Sequence, residues 1–300
     1  MNLRFLEAFY WVATLGSVTR AAEKLTLTQA GVSSRIASLE QEMKTQLFDR
    51  HDRRLTISPA GQRLLPHAKR MLNMERDIRR DLDVADPGLP VLRLGSIETV
   101  THTWLLPLLG ALQVDLADTE LELTIENTPL LEQLFRRGIL DIAILASPAG
   151  GDGIRYRALP PLEMVFVQRR DDARGDAVAV PLPELAERQI LTFQRGSPTQ
   201  GAMMDLFGTA GVTPHHVHGI SSLSAMLRLV ESGFGTATLP RDMVEPLLAS
   251  RRLQLIETPQ PLPSLPLFVI YRDDPSSVAI ASVVESIVAI ANDHNTNEPG

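Results

Sequence analysis

Helical periodicity dominates the front of the chain. Residues 3–15 place apolar side chains at helical spacing and end before Gly16, which predicts a first helix. Ser17 can cap a second, short helix and Thr28 a third. Apolar residues three or four positions apart predict the buried stripe of the third helix: Val32, Ile36, Leu39 and Met43. Two short helices joined by a tight turn fit either an αα-hairpin or a helix-turn-helix.

A hairpin and a long helix are predicted next. Residues 47–57 have apolar ends around a charged middle, which favours a small hairpin with a basic tip, and Ser58 followed by Pro59 is a strong helix start. Beyond it, apolar residues recur at spacings of 4, 3, 7 and 4, interrupted by Glu75: Leu64, Ala68, Met71, Ile78 and Leu82. This heptad seam predicts pairing with a second helix, and packing on its own domain is the alternative. The following DPGLP, residues 86–90, is typical of a linker.

From Val91 onward, strand-like apolar runs alternate with helical stretches. The runs are VLRLGS, LELTIE and DIAILA, then EMVFVQ, QILTFQ, HVHGIS and TATL, and finally LFVIY before an apolar helix over 276–291. This order predicts parallel sheets covered by helices. Two such sheets imply two lobes with a cleft between them.

Charge is divided unevenly along the chain, although the whole is acidic at −7. Residues 1–70 hold 11 Lys and Arg against 6 Asp and Glu, whereas residues 87–300 hold 15 against 25. Only the front segment therefore suits a polyanion, and its basic balance favours a DNA-binding helix-turn-helix over a plain hairpin.

The absence of cysteine excludes disulfides, thiolate metal sites, cysteine nucleophiles and thiol redox sensing. No stretch approaches the roughly 18 consecutive apolar residues of a transmembrane helix, and Arg4 and Glu7 interrupt the first apolar stretch. We therefore expect a cytoplasmic protein.

The run GSVTRAAEKLTLTQAGVSSRIASLEQEM, with LFDR and RRLTISPAG behind it, resembles the N-terminal winged helix-turn-helix of the LysR-type transcriptional regulators. The agreement is close over residues 2–66 and looser further on, where ESGFGTATLP resembles the family's glycine-rich turn and strand. The resemblance implies an N-terminal all-α winged helix-turn-helix, a linker helix that pairs two subunits, and a C-terminal two-lobed α/β effector domain akin to type II periplasmic binding proteins. The corresponding boundaries are 1–58, 59–87 and 88–300, with lobe I at about 91–161 and 267–300 and lobe II at about 162–266.

The third helix and the hairpin supply the expected DNA contacts. Gln29 can pair with adenine, Arg35 with guanine, and Ser33 with a base or a phosphate. The hairpin arginines suit phosphate contact or the minor groove, although each arginine could equally be a solvated surface charge. The full predicted set is Thr28, Gln29, Ala30, Ser33, Ser34, Arg35, Lys44, Arg50, Arg53 and Arg54.

Three positions depart from the family pattern. Lys44 stands where the family usually has a glycine that closes the third helix, so a strained left-handed cap or a replacement for it is expected. Gly31 and Ser34 stand where alanine and arginine are more usual, which gives Arg35 a larger share of base reading as a hypothesis.

Effector candidates follow from the rule that ligands bind beyond the carboxyl ends of parallel strands, next to helix N-termini. They are Ser96, Thr99, Thr101, His102, Asn127, Thr128, Ser147, Arg195, Gly196, Ser197, Thr199, Ser221 and Ser222. Hydroxyls, free helix N–H groups and one arginine suit a carboxylate or another anion. Capping of their own helices is the alternative role for the serines and threonines.

A metal site, an enzyme and a transport protein are the alternatives to a regulator, and the sequence favours none of them. His215, His216 and His218 could suggest a metal, but an exposed strand edge fits better because too few ligands are close in sequence. An enzyme on a two-lobed scaffold is disfavoured because no G-x-S-x-G elbow, phosphate loop, dinucleotide fingerprint or HExxH helix occurs. A solute-binding transport protein is disfavoured by the missing signal peptide and the DNA-like front.

The sequence therefore predicts a regulator that is not an enzyme and has no cofactor. Its expected partners are operator DNA, a small-molecule effector, RNA polymerase and further copies of itself in a homodimer or homotetramer.

Overall fold

The computed structural model describes residues 2–51, 54–82, 89, 91–148, 150, 153–171, 177–272 and 279–296. The helices are α1 Leu3–Leu15, α2 Val18–Lys24, α3 Gln29–Met43, α4 Pro59–Asp81, α5 Glu98–Thr101, α6 Leu105–Asp115, α7 Thr128–Arg136, α8 Leu182–Ala186, α9 Pro198–Thr209, α10 Leu223–Glu231, α11 Arg241–Ala249 and α12 Ala279–Thr296. The strands are β1 Phe48–His51, β2 Arg54–Ile57, β3 Val91–Ser96, β4 Glu120–Ile125, β5 Ile142–Leu145, β6 Ile154–Leu162, β7 Met164–Arg169, β8 Ala177–Ala179, β9 Gln189–Phe193, β10 His216–Ile220, β11 Thr236–Pro240, β12 Leu253–Glu257 and β13 Leu265–Arg272.

The first three helices begin and end where the sequence predicts. Gly16 ends α1 with φ +62°, a backbone conformation that glycine adopts without a Cβ clash, and its N–H donates to the Val12 carbonyl. Ser17 and Thr28 cap α2 and α3 by accepting from backbone N–H groups three residues further on. The predicted stripe of α3 is correct except at Met43, which is 36% exposed because it lies in the last turn, past the domain core.

The hairpin β1–β2 is antiparallel and is joined to the helices by polar contacts of Glu40 and Ser58. Glu40 of α3 accepts a hydrogen bond from the Leu47 N–H at 2.7 Å. Ser58 donates its hydroxyl to the Gln46 carbonyl at 2.7 Å and accepts from the Gly61 N–H at 3.1 Å. The start of α4 and the wing are therefore fixed together.

Helix α4 divides its apolar residues between two surfaces. Ala68 and Leu72 are buried in the core of the winged-helix domain, together with Phe9 and Leu39 of α1 and α3. Ala68, predicted as part of a subunit contact, is therefore a core residue of its own domain, and Leu64 packs partly against that core. The predicted heptad seam is exposed only from Met71 onward. Met71 and Ile78 are 38% and 52% exposed, and Met74 and Leu82 lie on the same exposed side.

Two sheets form the rear of the chain, as the alternating pattern predicts. The sheet of lobe I has the order β4-β3-β5-β13-β6, and that of lobe II the order β10-β9-β11-β7-β12-β8. Both are mixed rather than wholly parallel, since β13 runs antiparallel to β5 and β7 runs antiparallel to β11. The antiparallel strands include those that carry the chain from one lobe to the other. Helices cover both sheets, and a large continuous apolar core runs through them.

The winged-helix domain packs against lobe I through a buried ion pair. Lys24 Nζ lies 2.7 Å from Asp141 Oδ1, and the two side chains are 13% and 6% exposed. The other carboxylate oxygen of Asp141 accepts a hydrogen bond from the backbone N–H of Arg93. The Lys24 ammonium also lies 5.2 Å from the ring centroid of Trp11. Both ions are thus surrounded by partners, as buried charges require.

Arg272 lies at the same domain contact. Its guanidinium donates to the Phe135 carbonyl at 2.8 Å and lies 4.3 Å from the ring of that residue. Burial, followed by the nearby charge of Arg136, lowers the pKa of Arg272 to about 10, while Tyr10 and Asp141 oppose this shift. Arg272 therefore remains protonated at neutral pH. Within the part of the chain that the structure describes, no helix is long and apolar enough to cross a membrane.

Candidate DNA and effector sites

One face of α3 is available to a partner. Gln29, Ala30 and Ser34 are exposed, and Ser33 and Arg35 are half-buried beside them. Arg35 makes no hydrogen bond or ion pair with any residue that the structure describes. Thr28 is exposed as well, although its hydroxyl oxygen already accepts the Gly31 N–H at 3.1 Å. The predicted residues of α3 therefore all reach the surface, on the sides of the helix that do not face the core.

Lys44 closes α3 in the left-handed conformation, with φ +52°. The strained cap expected from the sequence is confirmed, because a residue with a Cβ takes the place that favours glycine. The Lys44 side chain is exposed. In the wing, Arg53 lies outside the described residues, and for Arg50 and Arg54 only the strand backbone is described.

A cleft of about 740 Å³ lies between the two lobes, where the sequence rule places it. Its volume is in the range of small-molecule sites. Predicted effector residues that line it are Thr99, Asn127, Thr128, Ser147, Arg195, Gly196, Ser197, Thr199 and Ser221. They come from loops at the carboxyl ends of β3, β4, β5, β9 and β10.

Four predicted residues do not line the cleft. Ser96 is fully buried, since it ends β3 inside the sheet. Thr101 has a buried hydroxyl with no hydrogen-bond partner among the described residues. His102 and Ser222 lie behind the lining residues, where His102 contacts Ser224 and Ser222 caps α10. The four predictions were wrong for one reason. The rule that ligands bind beyond the carboxyl ends of strands (the strand-end rule) identifies the loop but not the direction in which each side chain points.

Several hydroxyls and amides serve their own backbone as well as the cleft. Asn127 accepts the Leu130 N–H at 3.0 Å and Ser197 accepts the Gln200 N–H at 3.2 Å, so each caps its helix. Thr128 accepts the Ala146 N–H at 3.1 Å. Capping, the alternative role, is therefore real for Asn127 and Ser197, whereas Thr128 joins the start of α7 to the end of β5. Arg195 differs from them, because it is exposed at the cleft and makes no polar contact with a described residue.

The sequence reasoning missed the apolar and acidic parts of the lining. The apolar residues are Ile97, Ile125, Pro129, Ala146, Phe193, Pro198, Leu223 and Leu265. Glu98 and Glu126 add carboxylates, and Gln194 adds an amide. The apolar and acidic side chains are not complementary to an anion, so the expectation of an anionic ligand did not include them. Their positions beside the strand ends could have identified them as cleft residues.

The histidines near β10 have ordinary side-chain partners. His218 contacts the Gln189 amide oxygen at 2.6 Å, and His215 contacts Glu187 at 3.1 Å. β10 is an edge strand, as expected. Among the residues that the structure describes, no cluster of three or more His, Asp or Glu side chains could hold a metal ion.

A winged helix-turn-helix joined by a long helix to a two-lobed α/β cleft defines a DNA-binding transcriptional regulator with an effector-binding domain. The family model described as LysR substrate binding domain matches residues 87–291, and that of the bacterial regulatory helix-turn-helix protein, lysR family, matches residues 3–62. The chain therefore belongs to the LysR-type transcriptional regulators. These families and the relatives below are regulators rather than enzymes.

Similar proteins span nearly the whole chain. The HTH-type transcriptional regulator YofA of Bacillus velezensis is 28% identical over 270 residues, which cover 90% of this chain and 91% of that protein. A full-length OxyR variant from Pseudomonas aeruginosa has a TM-score of 0.63 at 20% identity, covering 97% of this chain and 95% of that one. Full-length CbnR complexed with its target DNA has a TM-score of 0.55 at 20% identity, covering 97% and 100%. The two structures show the shared fold.

Proposed function

We propose that this regulator responds to a small anionic effector with an apolar body, bound between the two lobes and oriented by Arg195. The observation that carries the proposal is the composition of the cleft: an arginine with no polar partner among the described residues lies at a site that also presents eight apolar side chains. A guanidinium in such a place is complementary to a carboxylate.

The helix starts support the same ligand. Arg195 and Gly196 immediately precede the Ser197 cap of α9, a helix of 12 residues. The positive end of the helix dipole and the Ser197 hydroxyl, which can still donate its proton, add to the attraction for an anion. Phe193 and Leu265 also line the cleft and offer apolar contact to the rest of the ligand.

Replacing Arg195 with alanine should weaken the binding of small carboxylic and aromatic acids by about tenfold to a hundredfold, since a hydrogen bond to a charged group contributes about 1.5–3 kcal/mol. Thermal shift with a panel of acids identifies a binder, because stabilisation grows with ligand concentration over Kd, and calorimetry then measures its affinity.

Arg228→Ala is the matched control, because Arg228 is an exposed arginine of the same lobe that does not line the cleft. Equal affinity of the Arg195 variant and the wild type would contradict the proposed role of Arg195. The absence of binding by any acid to the wild type would contradict an anionic effector.

For DNA, we propose that α3 enters the major groove, with Gln29 and Arg35 reading bases and with Lys44 and the wing arginines Arg50, Arg53 and Arg54 on the phosphates. The exposure of Gln29, Ala30 and Ser34, and an Arg35 guanidinium without a polar partner among the described residues, support the proposal. Thr28, Ala30, Ser33 and Ser34 would fill the rest of the contact.

Arg35→Ala should weaken binding to the DNA upstream of the protein's own gene by about tenfold to a hundredfold, the loss expected for one base-reading arginine. Binding to random DNA should change much less. Fluorescence anisotropy at several salt concentrations measures both affinities. Arg228→Ala, which removes the same charge from an exposed site outside the cleft, is the control. An equal loss on both DNAs would show that Arg35 contacts only phosphate.

The exposed apolar residues of α4 support pairing with the same helix of a second copy. Met71, Met74, Ile78 and Leu82 form an apolar stripe at roughly helical spacing that the rest of the described chain does not cover. Two copies would present two recognition helices to a palindromic site, and two dimers could bend the DNA between two such sites. An effector that prefers one cleft geometry would change how the subunits are arranged on the DNA and thereby the access of RNA polymerase. The free energy of this shift cannot exceed the difference between the effector's affinities for the two cleft geometries.

A further inference from the structure

Glu98 reaches across the cleft from lobe I and binds the start of a helix in lobe II. One carboxylate oxygen accepts the Leu223 N–H at 2.9 Å, and the other accepts the Ser224 N–H at 3.3 Å. The Ser222 and Ser224 hydroxyls add contacts at 3.4 and 3.3 Å. Glu98 itself is the first residue of α5, directly behind β3. A single side chain thus joins the two walls of the effector cleft.

The contact fills a place that would otherwise suit an anion. α10 is a helix of nine residues, and its free N–H groups and positive dipole end attract negative charge. Ser221 and Ser222, at this helix start, were predicted from the sequence to meet an effector. In the folded protein the backbone donors of Leu223 and Ser224 already serve the Glu98 carboxylate.

The two helix starts at the cleft therefore differ in charge. At the start of α9, Arg195 has no polar partner in the described part of the chain. At the start of α10 lies the Glu98 carboxylate, whose side chain is 27% exposed and which lies 3.6 Å from His102 Nε2. A second anionic group of a ligand at the start of α10 would meet a like charge and would find the first two donors of α10 occupied.

We propose that Glu98 is a specificity-determining residue, which makes the cleft accept effectors with a single anionic group and reject those with a second anionic group directed at the start of α10. This inference rests on the proposed function, since it takes Arg195 as the position of the first anionic group. Glu98 acts on the choice of ligand by occupying the α10 terminus with the protein's own carboxylate.

The test compares acids of matched length on the full-length protein. Calorimetry with hexanoate and adipate, and with benzoate and terephthalate, gives the ratio of monoanion to dianion affinity. For the wild type we expect a ratio of about ten or more, since a factor of ten corresponds to a modest difference in binding free energy. Glu98→Ala should lower that ratio at least about fivefold, because it frees the α10 donors and removes the charge.

Two further variants separate the possible causes. Glu98→Gln keeps an acceptor for α10 without the charge, so the ratio should fall to an intermediate value. Glu126→Gln removes another carboxylate from the same cleft lining and should lower the ratio less than Glu98→Gln does. An equal fall in the Glu126 variant would overturn the assignment to Glu98, because the overall charge of the cleft would then be sufficient.

Hydrogen exchange supplies a check that needs no effector. The amides of Leu223 and Ser224 should exchange faster in Glu98→Ala than in the wild type, and unchanged exchange would overturn the contact on which the inference stands. If monoanions bind through Arg195 while the Glu98 variants keep the wild-type ratio, only this inference fails. If none of the four acids binds any variant, the anionic effector and the inference fail together.

Discussion

Replacing Gly61 with alanine should destabilise the winged-helix domain by about 3 kcal/mol, at the upper end of the cost of overpacking. An added Cβ would lie 2.3 Å from the Leu47 carbonyl oxygen and 2.7 Å from the Ile57 side chain. The Leu47 carbonyl cannot move freely, because it accepts the Ser58 N–H at 2.9 Å. The clash therefore falls on the junction of α3, the wing and α4.

Tryptophan fluorescence can follow this domain during urea unfolding. Trp11 is buried in the winged-helix core and Trp104 in lobe I, so a Trp104→Phe background leaves Trp11 as the reporter. Gly110→Ala is the control, because nothing lies within 4 Å of an added Cβ there and alanine favours a helix. An unchanged unfolding midpoint in Gly61→Ala would show that the junction accommodates the methyl group. Operator binding should fall in parallel with the loss of folded domain.

Replacing Asp141 with asparagine should separate the winged-helix domain from lobe I. The substitution leaves the Lys24 ammonium 13% exposed without its counter-ion, and the loss of one partner of a buried pair costs about 3–5 kcal/mol. Asparagine retains an acceptor for the Arg93 N–H, so the fold of lobe I should persist. The two domains can move apart, which returns the Lys24 ammonium to water. The loss of stability caused by Asp141→Asn therefore cannot exceed the free energy with which the winged-helix domain docks on lobe I.

Small-angle scattering should report a larger radius of gyration for Asp141→Asn, and Trp11 and Trp104 should then report separate unfolding transitions. Glu132→Gln is the control, because its ion pair with Arg136 is more exposed, at 31% and 44% of the two side chains, and surface pairs contribute little. In a double-mutant cycle, adding Lys24→Met should recover part of the loss. Strictly additive effects would mean that the two side chains do not interact in solution.

The elements of the winged-helix domain were predictable because their signals are local. Ser17, Gly16 and Thr28 cap helices within three or four residues of themselves, and the α3 stripe repeats within one helix. The prediction that Met43 is buried was wrong, because the exposure of a residue at the end of a helix depends on where the neighbouring elements stop. The strand-end rule likewise found the loops of the cleft but misjudged Ser96 and Thr101, whose directions are set by packing.

The sequence by itself determined the order of elements, the charge division and the family resemblance, since each depends on residue types at short spacing. Only the tertiary structure decided which polar groups remain free in the cleft and which are already engaged. Glu98 and Leu223 are 125 positions apart, and Lys24 and Asp141 are 117 apart. No local pattern predicts such pairs, because their distance depends on how whole lobes and domains pack. Thus the place of Arg195 at the cleft was predictable from the sequence, whereas that of the Glu98 carboxylate at the start of α10 was not.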